Sequence, residues 1–248
     1  MKLILSGACG RMGHEVAKAA REQGVEIAFG VDCACGEDMG FPVYPCFRDA
    51  RDVPAKAVVI DFSLPQALQD VLSFATEHGF PCLLAATGYT QEHLRLIQKS
   101  AEAIPVFRSS NLSLGVHVLK LLAAEAKRML PGFDIEIVEK HHSRKKDAPS
   151  GTAMTLYEAL RSEDSVPVYD RHQNGLRQKE EIGIQAVRGG TVAGEHEIGF
   201  YGEGETLLLT HSAQNRSIFA FGALRAARFL ADDARKPGEY HMDDLIHL

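Results

Sequence analysis

Two adjacent histidines, His141 and His142, lie in a short segment crowded with lysine and arginine. Five basic residues fall within Lys140–Lys146 when one histidine is counted as charged. An imidazole gains or loses a proton near neutral pH, and a lysine shares in proton donation or binds a carboxylate. The segment therefore predicts acid–base chemistry on a small anionic substrate.

A turn suited to binding an anion follows the histidines. Residues 147–152 read Asp-Ala-Pro-Ser-Gly-Thr and lead into a helix predicted from about Ala153. Backbone N–H groups at a helix start, together with the hydroxyls of Ser150 and Thr152, attract a carboxylate. A solvated basic loop with an ordinary turn is the alternative. The combination of imidazole, ammonium and anion-binding groups favours a substrate site.

The glycine-rich residues near the N-terminus predict dinucleotide binding. Gly7, Gly10 and Gly13 form a GxxGxxG turn between a strand and a helix, and Asp32 ends the next strand, 19 positions after Gly13. Small residues let the backbone approach a pyrophosphate at a helix N-terminus, and the acid accepts hydrogen bonds from ribose hydroxyls. A tight strand-to-helix turn in another type of α/β protein is the alternative.

The residue after Asp32 bears on the choice of cofactor. It is Cys33 rather than an arginine that would receive a 2′-phosphate, which favours NADH over NADPH. Arg11, Arg48 or Arg51 remain as other sources of positive charge for NADPH.

Strand and helix patterns alternate through the first 110 or so residues, which predicts an α/β fold with a doubly wound parallel sheet. A helix at 115–129 follows, with apolar Val118, Leu121, Leu122 and Met129 at the helical period. Strand-like runs at 182–188, 193–201 and 205–212 are separated by turns at 189–190 and 202–204 that read as hairpins. These runs predict a second α+β domain of mixed or antiparallel sheet.

The domain boundaries follow from this change of pattern. We expect a Rossmann-like dinucleotide-binding domain at 1–112 and a domain for substrate binding and subunit association at 113–215. A closing helix at 217–230 and the apolar residues Leu245, Ile246 and Leu248 lead us to expect that 216–248 packs back on the first domain.

Composition excludes several classes of partner. The net charge is −6 and the pI is near 6.0, which argues against nucleic acid or an anionic membrane. The start MKLILSG does not read as a signal peptide, and no apolar run reaches membrane-spanning length. Five cysteines without a CxxC pair indicate reduced thiols, and Cys33-Ala34-Cys35 is a weak metal site. We therefore expect a cytoplasmic protein without a metal.

The segment VEKHHSRKKDAPSGTA resembles the signature of the 4-hydroxy-tetrahydrodipicolinate (dihydrodipicolinate) reductases of the lysine and diaminopimelate pathway. The similarity covers nearly the whole chain in order: GACGRMG, DFSLP at 61–65, ATG at 86–88, SSNLSLGV at 109–116, VRGGTVAGEHEI at 187–198 and MDDL. The resemblance implies an NADH- or NADPH-dependent reductase that is typically a homotetramer.

The resemblance also implies residue roles. His141 and Lys145 would act in protonation, and His142, Ser150, Gly151 and Thr152 would bind a dicarboxylate substrate. The residues implied to contact the cofactor are Gly7, Ala8, Cys9, Gly10, Arg11, Met12, Gly13, Asp32, Ala85, Thr87, Gly88, Ser110, Asn111 and Leu112. The chain departs from the family where Ala85-Ala86 replaces the usual Gly-Thr and where Cys33 replaces a common arginine.

Three other functions remain open from the sequence. One is a related reductase of another cyclic imino acid, which the Ala85-Ala86 change keeps open. Another is a non-catalytic dinucleotide sensor, which the complete His, Lys and Ser-Gly-Thr set disfavours. A zinc or serine hydrolase built on His141, His142 and Ser150 is disfavoured because adjacent residues of an extended chain point to opposite sides.

Overall fold

The computed structural model describes residues 1–34 and 36–246, without the side chains at 173 and 174. The chain divides into two compact units, Met1–Ser113 with the segment that begins at Arg216, and Leu114–Asn215. The second cysteine of the Cys33-Ala34-Cys35 run, Cys35, and the apolar Leu248 lie outside the described residues.

The first unit contains a seven-stranded parallel sheet with the order β12-β6-β5-β4-β1-β2-β3. Its strands are β1 (Lys2–Ser6), β2 (Glu26–Val31), β3 (Val43–Tyr44), β4 (Val58–Asp61), β5 (Cys82–Leu84), β6 (Pro105–Arg108) and β12 (Gly238–Tyr240). Its helices are α1 (Arg11–Glu22), α2 (Leu68–His78), α3 (Gln91–Ala101), α7 (Ser217–Leu230) and α8 (Met242–Leu245), with 3-10 turns at Phe47–Asp49 and Pro65–Ala67.

Helices cover both faces of this sheet. Leu3 and Leu5 of β1 belong to the core that includes α1 and α7, whereas Ile4 between them belongs to the core that includes α2 and α3. Successive side chains of a strand point to opposite faces, so a strand buried on both sides must be apolar throughout. The predicted doubly wound α/β fold is confirmed.

The second unit contains a five-stranded mixed sheet with the order β11-β10-β7-β9-β8. Its strands are β7 (Asp134–His141), β8 (Val166–Val168), β9 (Glu181–Arg188), β10 (Gly194–Tyr201) and β11 (Thr206–Ala213), and its helices are α4 (Leu114–Met129), α5 (Gly151–Leu160) and α6 (Arg171–Asn174). Strand β7 is central, parallel to β9 and antiparallel to β10.

The hairpin predicted at 189–190 is wrong. Strands β9 and β10 follow each other in the chain, but β7 lies between them in the sheet. Two glycines permit a sharp turn without deciding which strands pair, because pairing depends on long-range contacts. The hairpin predicted at 202–204 is confirmed, since β10 and β11 are antiparallel neighbours.

The apolar positions noted on helix α4 are not the ones that form its buried face. Val118, Leu122 and Met129 are exposed, whereas Val116, Leu119 and Ala123 are buried. Both sets repeat at the helical period, so the sequence pattern alone allows either face. Packing against α5 and the sheet selects the second set.

Cysteine chemistry follows the expectation in part. Cys33, Cys46 and Cys82 have free thiols. Cys9 is disulfide-bonded, so the prediction of reduced thiols is wrong there. A disulfide depends on which thiols the fold brings within bonding distance, and spacing in the sequence does not determine that.

Candidate active site

Strand β7 delivers an acid and an imidazole to the end of an apolar row. Buried and half-buried residues alternate along it, with Ile135, Ile137, Glu139 and His141 on the inward face. Side chains two positions apart share a face of a strand. The row that begins as hydrophobic core therefore ends as a pair of titratable groups, and the sequence predicted only the second of them.

The carboxylate of Glu139 is completely buried and is hydrogen-bonded on both oxygens. Arg188 donates to each oxygen at 2.7 Å, the backbone N–H of Ser150 donates to Oε1 at 2.9 Å, and Nδ1 of His141 lies 2.5 Å from Oε2. Burial by itself would raise the pKa of Glu139, but these three partners outweigh it and hold the pKa below the usual value. Glu139 is therefore ionised at neutral pH.

The two ring nitrogens of His141 have different surroundings, because Nδ1 is hydrogen-bonded to Glu139. An ionised carboxylate only accepts hydrogen bonds, so Nδ1 carries a hydrogen toward Glu139. Nε2 is the nitrogen that can exchange a proton with a bound molecule. The backbone of β10 approaches this atom closely, because a Cβ at Gly194 would lie 3.1 Å from it.

Ser150 begins helix α5 and closes the polar cluster. Its Oγ accepts from the backbone N–H of Ala153 at 3.2 Å as an N-cap and lies 3.0 Å from Nε2 of His196. The side chain is buried, so its hydroxyl shapes the turn, while Gly151 is exposed and Thr152 half-buried in the first helical turn. The helix begins at Gly151, two residues before the predicted start.

His196 of β10 is a buried histidine that the sequence did not single out for a role. Its ring centroid lies 5.2 Å from that of His141, at 75° between the ring planes. Burial, reinforced by the neighbouring His141, lowers the pKa of His196 to about 4. It is therefore neutral at physiological pH. The cross-strand register pairs His196 with Glu139, which places Arg188, Glu139 and His196 in one cluster.

The basic segment divides rather than converging on one point. Lys145 donates to both carboxylate oxygens of Asp147, at 2.8 and 2.7 Å. Lys140 bonds Glu195 from a half-buried position between inward-facing Glu139 and His141. His142 follows the last residue of β7 and is half-buried. Strand alternation thus separates the two adjacent histidines and removes Lys140 from the face of His141.

The glycine turn of the first unit has the shape that a pyrophosphate needs. A Cβ at Gly13 would lie 2.2 Å from the carbonyl oxygen of Ala8, and Gly7 has a φ of +73°. Gly10 is the N-cap of α1, and Asp32 accepts through Oδ2 from the backbone N–H of Cys9 at 3.0 Å. Small residues, a helix N-terminus and an acid with further lone pairs fit a dinucleotide.

A cavity of about 280 Å³ lies beside this turn. Five of the residues implied as cofactor contacts line it: Arg11, Met12, Ala85, Ser110 and Leu112. The residues Phe62, Ser109, Arg216 and Phe219 also line it and were not predicted, although each adjoins a strand end or a helix start. Thr87 and Gly88 follow β5, Gly88 with a φ of +85°, and Ser109 Oγ donates to the carbonyl of Asn111 at 2.7 Å.

Within residues 1–34 and 36–246, no group of three or more His, Cys, Asp and Glu side chains is arranged to hold a metal ion. In the same part of the chain, no helix combines the length and apolarity needed to cross a membrane.

Comparison with known proteins gives the family. The models of the dihydrodipicolinate reductase N-terminus and C-terminus match residues 1–112 and 115–246. The chain belongs to the dihydrodipicolinate reductase family. The predicted resemblance is confirmed, and with it the assignment to NAD(P)H-dependent oxidoreductases.

Curated members of the dihydrodipicolinate reductase family match from end to end. The 4-hydroxy-tetrahydrodipicolinate reductase of Caldanaerobacter subterraneus subsp. tengcongensis is 44% identical, covering 99% of this chain and 98% of that one. The enzyme of the same name from Staphylococcus carnosus is 43% identical, with 100% of both chains covered. A dipicolinate-bound dihydrodipicolinate reductase structure from Paenisporosarcina sp. TG-14 has a TM-score of 0.78 at 20% identity, covers 97% of each chain, and so supports the shared fold.

Proposed function

We propose that this protein reduces 4-hydroxy-tetrahydrodipicolinate to tetrahydrodipicolinate, with release of water, in the lysine and diaminopimelate pathway. The observation that carries the proposal is the end-to-end match to reductases that bear this name, at 43% and 44% identity. The buried Glu139–His141 pair supports it, because this pair can supply a proton and lies beside the start of α5, whose amides can bind an anion.

His141 is the proton donor in this proposal. Loss of the 4-hydroxyl as water leaves a C=C bond conjugated with the C=N bond. NADH or NADPH supplies a hydride when bound, and its addition to this conjugated C=C bond leaves negative charge that must be protonated. Nε2 of His141 delivers this proton, and Nδ1 stays hydrogen-bonded to Glu139. Lys145 shares in the donation or holds a carboxylate, which requires its ammonium to turn from Asp147.

The substrate carboxylates are received at the start of α5. The first-turn amides of Gly151 and Thr152 lie at the positive end of a helix of ten residues, and His142 adds a further polar group. Ser150 holds the turn in shape through its cap and its bond to His196. This arrangement selects a small dicarboxylate.

The cofactor contacts are those of the glycine turn and its cavity. Gly7 to Gly13, Asp32, Ala85, Thr87-Gly88 and Ser110 to Leu112 form the proposed set, and NADH is the favoured cofactor. Asp32 accepts from ribose hydroxyls and repels a 2′-phosphate, and Cys33 supplies no compensating charge.

A homotetramer is the proposed assembly, with the cytoplasm as its compartment. Strand β11 is an edge of its sheet and exposes Leu207 and Leu208, at 39% and 51%. An exposed edge with apolar side chains is suited to pairing with another copy. Light scattering on the purified protein tests this, and Leu208→Lys should lower the mass from four subunits. A monomeric wild-type protein contradicts the proposal.

The function is tested by a coupled assay. Purified protein is mixed with a synthase that condenses pyruvate and aspartate semialdehyde, and oxidation of NADH and NADPH is followed separately. Oxidation that depends on both precursors supports the proposal. Absence of oxidation with either cofactor overturns it and favours the alternative, a reductase of another cyclic imino acid.

The role of His141 is tested by His141→Gln. We expect kcat to fall by about 10²–10⁴, the usual contribution of a general acid, with little change in cofactor affinity. An unchanged kcat contradicts the role. Cofactor binding without turnover in the wild-type protein would instead point to a dinucleotide sensor.

A further inference from the structure

We propose that Glu139 is a positioning residue, whose carboxylate sets which nitrogen of His141 carries a fixed hydrogen and also holds Ser150, the N-cap of α5. This inference deepens the proposed function, because it takes His141 as the proton donor. Nothing in the sequence pattern of charged residues distinguishes Glu139 from the other acids of β7, Asp134 and Glu136.

The division of hydrogen bonds between the two oxygens carries the proposal. Oε2 faces Nδ1 of His141 and one nitrogen of Arg188, whereas Oε1 faces the backbone N–H of Ser150 and the other nitrogen of Arg188. A carboxylate has about four acceptor positions, and all four are used here. The guanidinium neutralises the charge, and the remaining two positions join the donor His141 to the turn at Ser150.

The hydrogen-bonding capacities of Arg188 and Glu139 require a hydrogen on Nδ1 of His141. Arg188 only donates, and an ionised Glu139 only accepts, so Nδ1 of His141 must be the donor of their shared bond. The imidazole then gains and loses protons at Nε2 alone. After a proton leaves Nε2, the ring is already the Nδ1–H tautomer, ready to be protonated at Nε2 for the next turnover.

A merely structural role for Glu139 predicts something different. A buried carboxylate paired with arginine stabilises a fold through the pair itself, and either tautomer of a neighbouring histidine would then serve. Substitution would lower stability and activity together. A positioning role predicts that the tautomer changes and that kcat falls far more than substrate or cofactor affinity.

The test uses Glu139→Gln, with Glu136→Gln as a matched control. Glutamine keeps an oxygen for the N–H of Ser150 and one nitrogen of Arg188, and its NH₂ group replaces Oε2, so the bond from the other nitrogen of Arg188 is lost. The NH₂ group also faces Nδ1 of His141, which favours a lone pair on Nδ1 and the hydrogen on Nε2. Glu136 lies on the same strand, alternates to the other face, and is ion-paired with Arg171 and Arg177. Glu136→Gln therefore weakens a comparable carboxylate–arginine pair without touching His141.

The direct measurement is ¹⁵N NMR of the histidine ring nitrogens, with His141→Gln identifying the resonances of His141. In the neutral state of the ring, we expect the wild-type protein and Glu136→Gln to show a protonated Nδ1 and a bare Nε2. Glu139→Gln should show the reverse. A wild-type protein with a protonated Nε2 and a bare Nδ1 overturns the proposal, whatever the variant does.

The kinetic measurement compares the same variants. We expect Glu139→Gln to lower kcat by about 10²–10⁴, up to the full contribution of the general acid, with KM changed far less. Glu136→Gln should leave kcat close to the wild-type value, because Glu136 lies on the opposite face of β7 from His141. If both variants lost kcat to the same extent, and each loss followed a fall in melting temperature, Glu139 would have a structural role only.

A further variant covers the case in which Glu139→Gln does not fold. Arg188→Lys leaves Glu139 facing His141, so His141 should keep the Nδ1–H tautomer. Loss of the Nδ1–H tautomer in this variant would show that the guanidinium of Arg188, and not Glu139, sets the tautomer, which contradicts the proposal. Failure of the proposed function is distinguishable. An inactive wild-type protein with the expected tautomer rejects the reaction, whereas a reversed tautomer in an active enzyme rejects the positioning role alone.

Discussion

Nδ1 of His141 lies 2.5 Å from Oε2 of Glu139, two positions earlier on the same strand. Two residues at this spacing share a face of a strand, so the backbone of β7 itself aligns the acid with the imidazole. Rigid elements hold functional groups more accurately than loops do. His142, one position farther, lies beyond the end of the strand and is half-buried rather than buried.

The glycine turn provides the first prediction. Gly13→Ala should weaken NADH and NADPH binding by at least about tenfold, or 1.4 kcal/mol, because its Cβ would lie 2.2 Å from the Ala8 carbonyl oxygen and displace the turn. Fluorescence titration measures both affinities. Gly36→Ala is the control, since a Cβ there has no atom within 4 Å. Equal affinities in the two variants would contradict the prediction.

Asp32 should affect NADH more than NADPH. Asp32→Ala removes the acceptor for the ribose hydroxyls, and it also removes a charge that repels a 2′-phosphate, so the ratio of the two dissociation constants should shift toward NADPH by about tenfold. Asp32→Asn can still accept from the N–H of Cys9, which separates loss of charge from loosening of the turn. If both cofactors weaken equally in Asp32→Ala, Asp32 does not contact the ribose.

Ser150 should matter for stability. Ser150→Ala removes the cap of α5 and the partner of His196, so the free energy of unfolding should fall by about 1–3 kcal/mol. Urea unfolding measures it. Thr155→Ala is the control on the same helix, because the exposed Thr155 hydroxyl only bonds the carbonyl of Gly151, and we expect a change within about 0.5 kcal/mol. Similar losses in both variants would rule out the cap.

His196 should make stability depend on pH. Burial lowers its pKa from 6.5 in the unfolded chain to about 4 in the folded protein, so between these values the unfolded state binds more protons. The free energy of unfolding should therefore fall as the pH drops from 6.5 toward 4, by on the order of 3 kcal/mol.

The variant His196→Gln isolates this effect. Glutamine offers Ser150 both a carbonyl oxygen and an NH₂ group but does not titrate, so the decline between pH 6.5 and 4 should be smaller than in the wild-type protein. His172→Gln, at an exposed position, should follow the wild-type curve. The lowered pKa of Glu139 acts mainly below its ordinary value of 4.5 and is common to all three proteins. Parallel curves for all three would show that His196 does not titrate as expected.

The sequence by itself determined the features that depend on neighbours along the chain. The glycine turn from Gly7 to Gly13, the alternation of strands and helices, and the closing helix α7 at Ser217–Leu230 were all predictable, because turn chemistry and hydrophobic period are local. The reductase family was predictable as well, from motifs that extend over nearly the whole chain.

Only the tertiary structure decided which residues surround His141. Glu139 comes from the same strand, but Arg188 arrives from β9 and His196 from β10, because β7 lies between these two strands instead of beside a hairpin. Helix α4 likewise buries Val116 and Leu119 rather than Val118. Strand order and the choice between two equally periodic helix faces depend on the total burial from contacts between residues far apart in the chain. A local sequence pattern does not determine that total.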